Sequence, residues 1–407
     1  MPKKYNFIDL FAGCGGLLDG FMQSGLCNPV ASVEWEKAPV NTLVNRLETK
    51  WNIPHAKEST ILFDVQRVDE LFNGFDDEKF GKHVGLNKLI GDKKIDFVIG
   101  GPPCQAYSVA GRIRDNNYMR DDYRNYLFEY YLKIVSKLKP KLFVFENVPG
   151  MLSAMPDGTP IIDLIRRDIS NTGYEIIDDI KKYAVLDASD YGVPQERHRV
   201  ILVGLSKEKF KGQNIQELLK NFYTNLKEKY KVNHKMTVEE AIGDLPPCLP
   251  LWSNKRPSHT IPETKVTWHF SRFHSLRDVK IFQMLAEDIE SGENKYHDSN
   301  KLCDLYNKMT GGNTKVHKYH VLLKDEPSTT ILAHLYKDGL RFIHYDSKQA
   351  RSITVREAAR LQSFDDDFDF IGPQTDAFKM IGNAVPPKLA KTIAMAIDDF
   401  LNKFSKE

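Results

Sequence analysis

Phe7-Ile8-Asp9-Leu10-Phe11-Ala12-Gly13-Cys14-Gly15-Gly16 joins an apolar run to a cluster of glycines. The run predicts a buried strand, and the glycines predict a tight turn before a helix that continues through Phe21. Further strand-like runs are Val30 to Glu34, Ile95 to Ile99, Leu142 to Phe145 and Arg199 to Val203. Tyr123 to Leu138 has its apolar residues at helical spacing. Strands that alternate with helices predict an α/β fold with a doubly wound, mostly parallel sheet.

Composition limits the classes of protein to which the chain can belong. Its 407 residues are 41% hydrophobic, enough for two or three domains, and the formal net charge of +2 says little about a polyanionic partner. The five cysteines, at positions 14, 27, 104, 248 and 303, show no zinc-ligand spacing, so we expect no metal. Their odd number fits a reducing compartment. No apolar stretch approaches the roughly 18 residues of a membrane span, so we expect a cytoplasmic protein with no membrane partner.

The glycine turn indicates a nucleotide-like ligand at the start of the first helix. A dinucleotide fingerprint would place glycine where Leu18 stands, and no Lys-Ser/Thr pair follows for a P-loop. An uncharged adenosine group remains compatible with the turn. Glu34 ends the second strand, twenty-one residues after Gly13, where an acid commonly binds ribose hydroxyls. Trp35 follows it, and its ring is suited either to stack on a base or to fill the core.

A second group of polar residues lies at the ends of other strands. Gly101-Pro102-Pro103-Cys104-Gln105-Ala106 follows one apolar run, and its prolines favour an extended exit that presents Cys104 as a nucleophile. A small buried thiol is the alternative reading of Cys104. Glu146 ends the next run, and Arg197 and Arg199 precede the last one. A thiol, an acid and guanidinium donors at sheet edges form a possible acid-assisted nucleophilic site.

With these pieces in order, the chain resembles the DNA cytosine-5 methyltransferases of the prokaryotic restriction–modification type. The resemblance extends from residue 7 to about 400, except for roughly 205–325. It rests on six motifs: Asp9-Leu10-Phe11-Ala12-Gly13-Cys14-Gly15-Gly16, Pro103-Cys104-Gln105, Glu146-Asn147-Val148, Gln195-x-Arg197-x-Arg199, Arg356-Glu357-x-x-Arg360-Leu361-Gln362 and Gly382-Asn383-Ala384-Val385-Pro386. One such motif would be weak evidence, whereas six in the family's order are specific.

The resemblance implies a Rossmann-like, S-adenosylmethionine-dependent methyltransferase with a second, smaller domain. We expect a cofactor-binding and catalytic domain over 1–204, a target-recognition domain over 205–350, and a return segment over 351–407 whose last helix packs on the catalytic domain. S-adenosyl-L-methionine would leave as S-adenosyl-L-homocysteine. The implied cofactor ligands are Phe11, Gly13, Gly15, Glu34, Trp35, Asp64, Asn383 and Val385.

The resemblance also implies a chemistry. Cys104 would add to C6 of a cytosine that has swung out of double-stranded DNA, and Glu146 would hydrogen-bond N3 and the amino group. Arg199 would hold O2, with Arg197 as its neighbour or as a phosphate contact. The segment 105–122 would close over the base.

The remaining expectations concern recognition and partners. Lys255, Arg256, Arg272 and Arg277 are candidates to read guanine edges, whereas Arg356 and Arg360 are expected to be structural. We expect a monomer whose restriction endonuclease, if present, is a genetic rather than a physical partner. The absence of a long extension before residue 7 motivates this assignment to a restriction–modification system. A tRNA cytosine-5 methyltransferase and a catalytically silent DNA-binding relative remain alternatives. The Cys-Phe-Thr tripeptide typical of the tRNA branch does not occur.

Overall fold

A computed structural model describes residues 4–103, 126–155, 158–317, 319–337 and 339–404. Its strands, numbered in chain order, are β1 (Tyr5–Leu10), β2 (Cys27–Glu34), β3 (Thr60–Leu62), β4 (Phe75–Asp77), β5 (Gly81–His83), β6 (Phe97–Gly100), β7 (Leu142–Asn147), β8 (Tyr174–Glu175), β9 (Val185–Asp187) and β10 (His198–Ser206). Its helices are α1 (Gly16–Gln23), α2 (Lys37–Thr49), α3 (Ala56–Ser59), α4 (Val68–Asn73), α5 (Leu86–Ile90), α6 (Leu127–Leu138), α7 (Ile161–Asn171), α8 (Ile180–Tyr183), α9 (Ile215–Lys229), α10 (Val238–Ile242), α11 (Leu276–Glu290), α12 (Ser299–Thr310), α13 (Val355–Leu361), α14 (Gln374–Asn383) and α15 (Pro387–Asn402).

The central sheet has the strand order β3-β2-β1-β6-β7-β10-β8, and β9 also pairs with β10. Strands β3, β2, β1, β6 and β7 are parallel, whereas β10 is antiparallel to its neighbours. The inner parallel strands read as apolar runs because helices cover both faces of such a sheet. The predicted α/β class with a mostly parallel sheet is therefore confirmed.

Strand direction decides which residues meet at the edge of this sheet. The carboxyl ends of β1, β2, β6 and β7 lie at one edge because these strands run parallel. Strand β10 runs the other way, so its amino end lies at that same edge, and Ile201 pairs with Glu146. Residues just before β10 therefore lie close to the residues that end the parallel strands.

The chain forms two compact units. The first unit comprises Met1–Gly192, Arg197–Asn233 and Ala384–Glu407, and the second comprises Val193–Glu196 and His234–Asn383. These bounds differ from our sequence boundaries at 204 and 350. The segment after β10 stays in the first unit because α9 packs on α15, where the Lys229 ammonium pairs with Asp399. The function of each unit remains a prediction.

Helix α15 covers α1 at very short range. A Cβ built on Gly20 would lie 2.3 Å from the carbonyl oxygen of Pro387 and 2.4 Å from Cβ of Ala390. Only glycine leaves room for this approach. The α15 side chains predicted as one apolar stripe are all buried: Leu389, Ile393, Ile397 and Phe400.

The second unit has its own core, which α11 and α12 build. A buried ion pair between Arg351 and Glu357 stiffens the segment that leads into α13, with N–O distances of 2.7 and 2.6 Å. Thr354 and Glu357 form a capping box that begins α13.

Within the described residues, no helix combines the length and apolarity needed to cross a bilayer.

Candidate active site

Glu146 and Arg199 form an ion pair at the sheet edge. Nε of Arg199 lies 2.9 Å from Oε1 of Glu146, and the two side chains are 11% and 14% exposed. The antiparallel register explains the contact, because Arg199 lies two residues from Ile201 and therefore on the same face. Nη1 of Arg199 also donates to the carbonyl of His198 at 2.7 Å. The pair presents a fixed carboxylate and guanidinium in a nearly desolvated position.

The segment that leads to Cys104 lies beside this pair. Strand β6 ends at Gly100, Gly101 lies against Oε2 of Glu146, and Nδ2 of Asn147 donates to the carbonyl of Pro102 at 3.4 Å. Cys104 itself and the segment 105–122 lie outside the described residues. The described part of the chain thus brings residues 101–103 next to the predicted acid.

Asn147 is a contributor to this site that our sequence analysis did not single out. Its Oδ1 accepts from the backbone N–H of Val148 at 2.8 Å while its Nδ2 reaches Pro102. One buried amide therefore ties the end of β7 to the segment after β6. Its position directly after Glu146, within Glu146-Asn147-Val148, was the available signal.

Arg197 does not share the environment of Arg199. Its side chain is 1% exposed, and Nη2 donates to the carbonyl of Ala384 at 3.1 Å. Its backbone N–H donates to Oδ1 of Asp187 at 3.1 Å. Arg197 lies immediately before β10, whereas Arg199 lies within it. The Arg197 side chain is almost fully enclosed, and its role as a neighbour of Arg199 or as a phosphate contact stays a prediction.

Glu34 fixes the backbone around the predicted cofactor site, at the same edge of the sheet. Its Oε2 accepts from the N–H of Gly13 at 2.8 Å, and its Oε1 accepts from the N–H groups of Trp35 and Glu36, both at 2.8 Å. Burial raises the pKa of this carboxyl, although these backbone donors oppose the shift. The acid predicted to bind a ribose therefore fixes the glycine turn against the end of β2.

The glycine turn leaves backbone exposed to a ligand. Gly13 and Gly15 have φ angles of 55° and 92°, and Phe11 has a φ of 58°. A Cβ on Gly15 would lie 2.5 Å from Cδ1 of Leu43, whereas one on Gly13 would meet no atom within 4 Å. A side chain at position 15 would therefore displace Leu43 and hold a strained φ, whereas Gly13 faces open space beside Glu34.

Trp35 and Asp64 lie near Glu34 along the neighbouring strands. Trp35 is 48% exposed, so it is not a core aromatic, and Nζ of Lys79 lies 4.8 Å from the centre of its ring. The N–H of Phe63 donates to the carbonyl of Glu34 at 3.0 Å, which brings Asp64 to the same edge. Oδ1 of Asp64 accepts from the N–H of Gln66 at 2.9 Å.

The last two predicted cofactor ligands lie in different units. Asn383 is exposed, ends α14 and belongs to the second unit. Val385 is buried and belongs to the first unit. Their predicted role stays a prediction.

Asp9 is the most unusual carboxyl among the described residues. It is fully buried at the end of β1, and neither Oδ1 nor Oδ2 has a hydrogen-bond partner. Burial raises the pKa of Asp9 well above its usual range, and Glu34 raises it further. Because neither oxygen accepts a hydrogen bond within the described residues, the side chain caps no turn there. An isolated buried acid of this kind is suited to meet a cation.

The four described cysteines are buried and form no disulfide: Cys14, Cys27, Cys248 and Cys303. Burial raises the pKa of Cys14 to about 12, which keeps it a thiol. Over the ranges that the structure describes, no group of three His, Cys, Asp or Glu side chains is arranged to hold a metal ion.

Arg272 and Arg277, two of the residues that we considered for DNA recognition, have different kinds of partner. Arg272 donates to the carbonyls of Leu335 and Tyr336 at 3.1 and 3.2 Å, so its guanidinium ties two segments of the second unit together. Arg277 pairs with Asp278 at 2.9 Å.

Two further arginines fulfil the structural role that we predicted. Nη2 of Arg356 donates to the carbonyl of Phe368 at 2.9 Å, and Arg360 pairs with Asp244 and Asp366. These partners all belong to the second unit.

The chain is similar to a known protein family, to individual proteins and to solved structures. A sequence profile described as C-5 cytosine-specific DNA methylase matches residues 5–399. The chain is 32% identical to the type II methyltransferase M.Bpa9945I of Bacillus paralicheniformis, over 97% of this chain and 99% of that protein. It is 30% identical to the type II methyltransferase M.AgeI of Thalassovita gelatinovora, over 96% of this chain and 98% of that protein. A solved structure of a putative DNA modification methyltransferase encoded within an E. coli prophage matches with a TM-score of 0.64 and 25% identity, over 98% of this chain and 100% of that one. The chain belongs to the C-5 cytosine-specific DNA methylases.

Proposed function

We propose that the protein methylates C5 of a cytosine within a specific sequence of double-stranded DNA through a covalent bond between Cys104 and C6. The observation that carries this proposal is the Glu146–Arg199 ion pair beside the segment 101–103. A carboxyl and a guanidinium fixed together can hold the N3 and O2 edge of one pyrimidine. The adjacent backbone leads directly to the thiol.

The residues around Glu34 fit S-adenosylmethionine. Glu34 would bind the ribose hydroxyls, Asp64 the adenine amino group, and the exposed Trp35 ring a face of the base. The open space at Gly13 allows close approach to the backbone. The unpartnered Asp9, whose raised pKa favours its protonated form in the cofactor-free protein, would supply negative charge once a bound cationic ligand displaces that proton. When bound, S-adenosylmethionine supplies an electrophilic methyl group.

The chain's own residues would make the ring reactive. Sulfur of Cys104 forms a bond to C6, which turns C5 into an enamine-like nucleophile. Glu146 hydrogen-bonds N3 and the amino group while charge moves into the ring, and Arg199 holds O2. Such preorganised groups are worth roughly 3–4 kcal/mol each. After C5 has taken up the methyl group, loss of its proton expels the thiolate and restores the aromatic ring.

Arg197 supports this site indirectly. Its bond to the carbonyl of Ala384 holds the segment that contains Val385 against the start of β10. We therefore assign it a positioning role, whereas Arg199 contacts the substrate.

The names of the relatives support a role as the modification enzyme of a restriction–modification system. M.Bpa9945I and M.AgeI are both called type II methyltransferases, and this chain covers nearly their whole length. A restriction endonuclease of the same sequence specificity would then be its genetic partner. The protein would act on double-stranded DNA as a monomer.

A mechanism-based probe tests this function. Duplex DNA with 5-fluorocytosine at the target should become attached to the enzyme once S-adenosylmethionine is supplied, because fluorine cannot leave as the proton does. Peptide mapping should locate the attachment at residue 104, and Cys104→Ser should form none. Bisulfite sequencing of DNA from cells that otherwise lack cytosine methylation should show one recurrent protected motif. Protection of tRNA alone, or full methyl transfer by Cys104→Ser, would refute the proposal.

A further inference from the structure

A short hairpin protrudes from the second unit between residues 249 and 260. Pro250 and His259 form an antiparallel bridge. The N–H of Leu251 donates to the carbonyl of Ser258 at 2.9 Å, and the N–H of Thr260 donates to the carbonyl of Leu249 at 2.8 Å. We call residues 252–257, which these pairs bring to the turn, the hairpin tip.

The base of the hairpin is fixed by buried groups. Nε2 of His259 lies 3.0 Å from the carbonyl oxygen of Gln349, and the N–H of Cys248 donates to Oε1 of the same Gln349 at 3.0 Å. Oγ of Ser258 accepts from the N–H of His274 at 3.0 Å. Several buried contacts therefore hold the base, so the tip is presented by a rigid support.

The tip itself is exposed and chemically unusual. Trp252 is 49% exposed and has a φ of 51°, a left-handed conformation that costs a tryptophan energy. Lys255 and Arg256 are exposed beside it. The Arg256 guanidinium lies 5.2 Å from the centre of the Phe273 ring, which restricts its orientation. An aromatic ring and two cations thus share one projecting turn.

The charge around the tip favours a polyanion. No acidic residue occurs between Asp244 and Glu263. Within the described ranges, neither Lys255 nor Arg256 forms an ion pair with an acidic side chain, unlike Arg277. Arg272 is committed to backbone carbonyls and Arg277 is paired with Asp278, so Lys255 and Arg256 are the two of the four cations that form neither kind of contact with the described residues.

We propose that the hairpin tip enters a groove of the DNA and determines part of the sequence specificity. Arg256, oriented by Phe273, contacts a base edge, and guanine presents the two acceptors that suit its planar donors. Lys255 contacts a phosphate, and the Trp252 ring packs against the sugar or a base. This inference rests on the proposed function and adds the element that reads the sequence.

Four variants test the proposal in the full-length protein. Arg256→Ala should reduce discrimination between the methylated motif and its single-base variants by roughly tenfold to a hundredfold at one position. Arg256→Lys should keep affinity for duplex DNA but not that discrimination. Lys255→Ala should weaken binding to duplexes of any sequence, and the slope of log affinity against log salt should fall by about one. Lys301→Ala, which removes an exposed cation from α12 of the same unit, is the matched control and should change neither.

The measurements separate this inference from the proposed function. Rates on a duplex with the motif found by bisulfite sequencing are compared with rates on duplexes altered at one position. Thermal unfolding verifies that each variant remains folded. If the wild-type protein methylates a defined motif and both Arg256 variants keep its relative rates unchanged, the hairpin inference is wrong and the function stands. If the wild-type protein methylates no DNA, the function itself fails.

Discussion

A β-carbon at position 101 would lie 2.7 Å from Oε2 of Glu146, so the lack of a side chain at Gly101 leaves room for the carboxylate. The backbone at Gly101 is not left-handed, and the obstructing atom is the end of a flexible side chain. Gly101→Ala should therefore leave stability nearly unchanged but displace the carboxylate from Arg199. We expect kcat to fall by roughly tenfold to a hundredfold, since small misplacements of catalytic groups cost rates of this order.

Gly100 provides the contrast for that experiment. A Cβ on Gly100 would lie 2.3 Å from the carbonyl oxygen of Leu10, in the backbone of the neighbouring strand. Gly100→Ala should destabilise the protein by about 1–3 kcal/mol, because a strand must shift. Thermal unfolding and single-turnover methylation distinguish the two variants. Equal loss of stability in both would show that Gly101 is structural only.

Glu146→Gln should lower kcat by roughly 10²- to 10⁴-fold, because an amide cannot share or transfer a proton at N3 of the cytosine as a carboxyl group can. The variant keeps the size of the side chain and should retain affinity for DNA. Arg199→Lys should also be impaired, because an ammonium lacks the planar fork that holds Glu146. Quenched single-turnover assays measure the chemical step. A Glu146→Gln rate within about threefold of the wild-type rate would exclude the assigned role.

Asp9→Asn should change how stability responds to pH and to the cofactor. The raised pKa of Asp9 means that the folded protein holds a proton that the unfolded chain loses above about pH 4. Stability of the cofactor-free protein therefore falls as pH rises from that value toward the raised pKa, and Asp9→Asn removes this contribution. Thermal unfolding at pH 5 and pH 8 should show a smaller decline with pH in the variant. Added S-adenosylmethionine should stabilise the variant less than the wild type, and identical behaviour of both proteins would refute the argument.

Acid should destabilise the second unit through its buried histidines. Burial, together with the smaller effect of the nearby Arg351, lowers the pKa of His259 to about 4 and that of His344 to about 3. The unfolded chain takes up these protons near pH 6.5 while the folded chain does not, so stability is lost as pH falls from 6.5 toward 4. At pH 5 the loss is on the order of 2 kcal/mol for each histidine.

Unfolding of His259→Gln in urea at pH 7 and pH 5 tests this expectation. The variant should lose less stability between the two values than the wild type does. His297→Gln, which changes an exposed histidine, should behave like the wild type. A His259 variant with the full wild-type pH dependence would contradict the assignment.

Local sequence patterns sufficed for the sheet and for the positions of Glu34 and Glu146, because apolar runs and the acids that end them are adjacent in the chain. The distinction between Arg197 and Arg199 was not available from spacing, since it depends on where β10 begins and on the carbonyl of Ala384, 187 residues away. Arg272 and Arg256 are alike in sequence context, and only the distant carbonyls of Leu335 and Tyr336 separate them. Whether an arginine is tied to a backbone carbonyl is thus a long-range property.

The interruption of the first unit by residues 234–383 has a consequence for biosynthesis. Helix α1 is made early, but the surface around Gly20 is covered by Pro387, Ala390 and Lys391 of α15, which are made near the end of synthesis. During translation, α1 therefore stays uncovered until almost the whole chain has been synthesised. The intervening unit can fold during that interval, and a polypeptide released near residue 383 would carry an apolar surface open to aggregation.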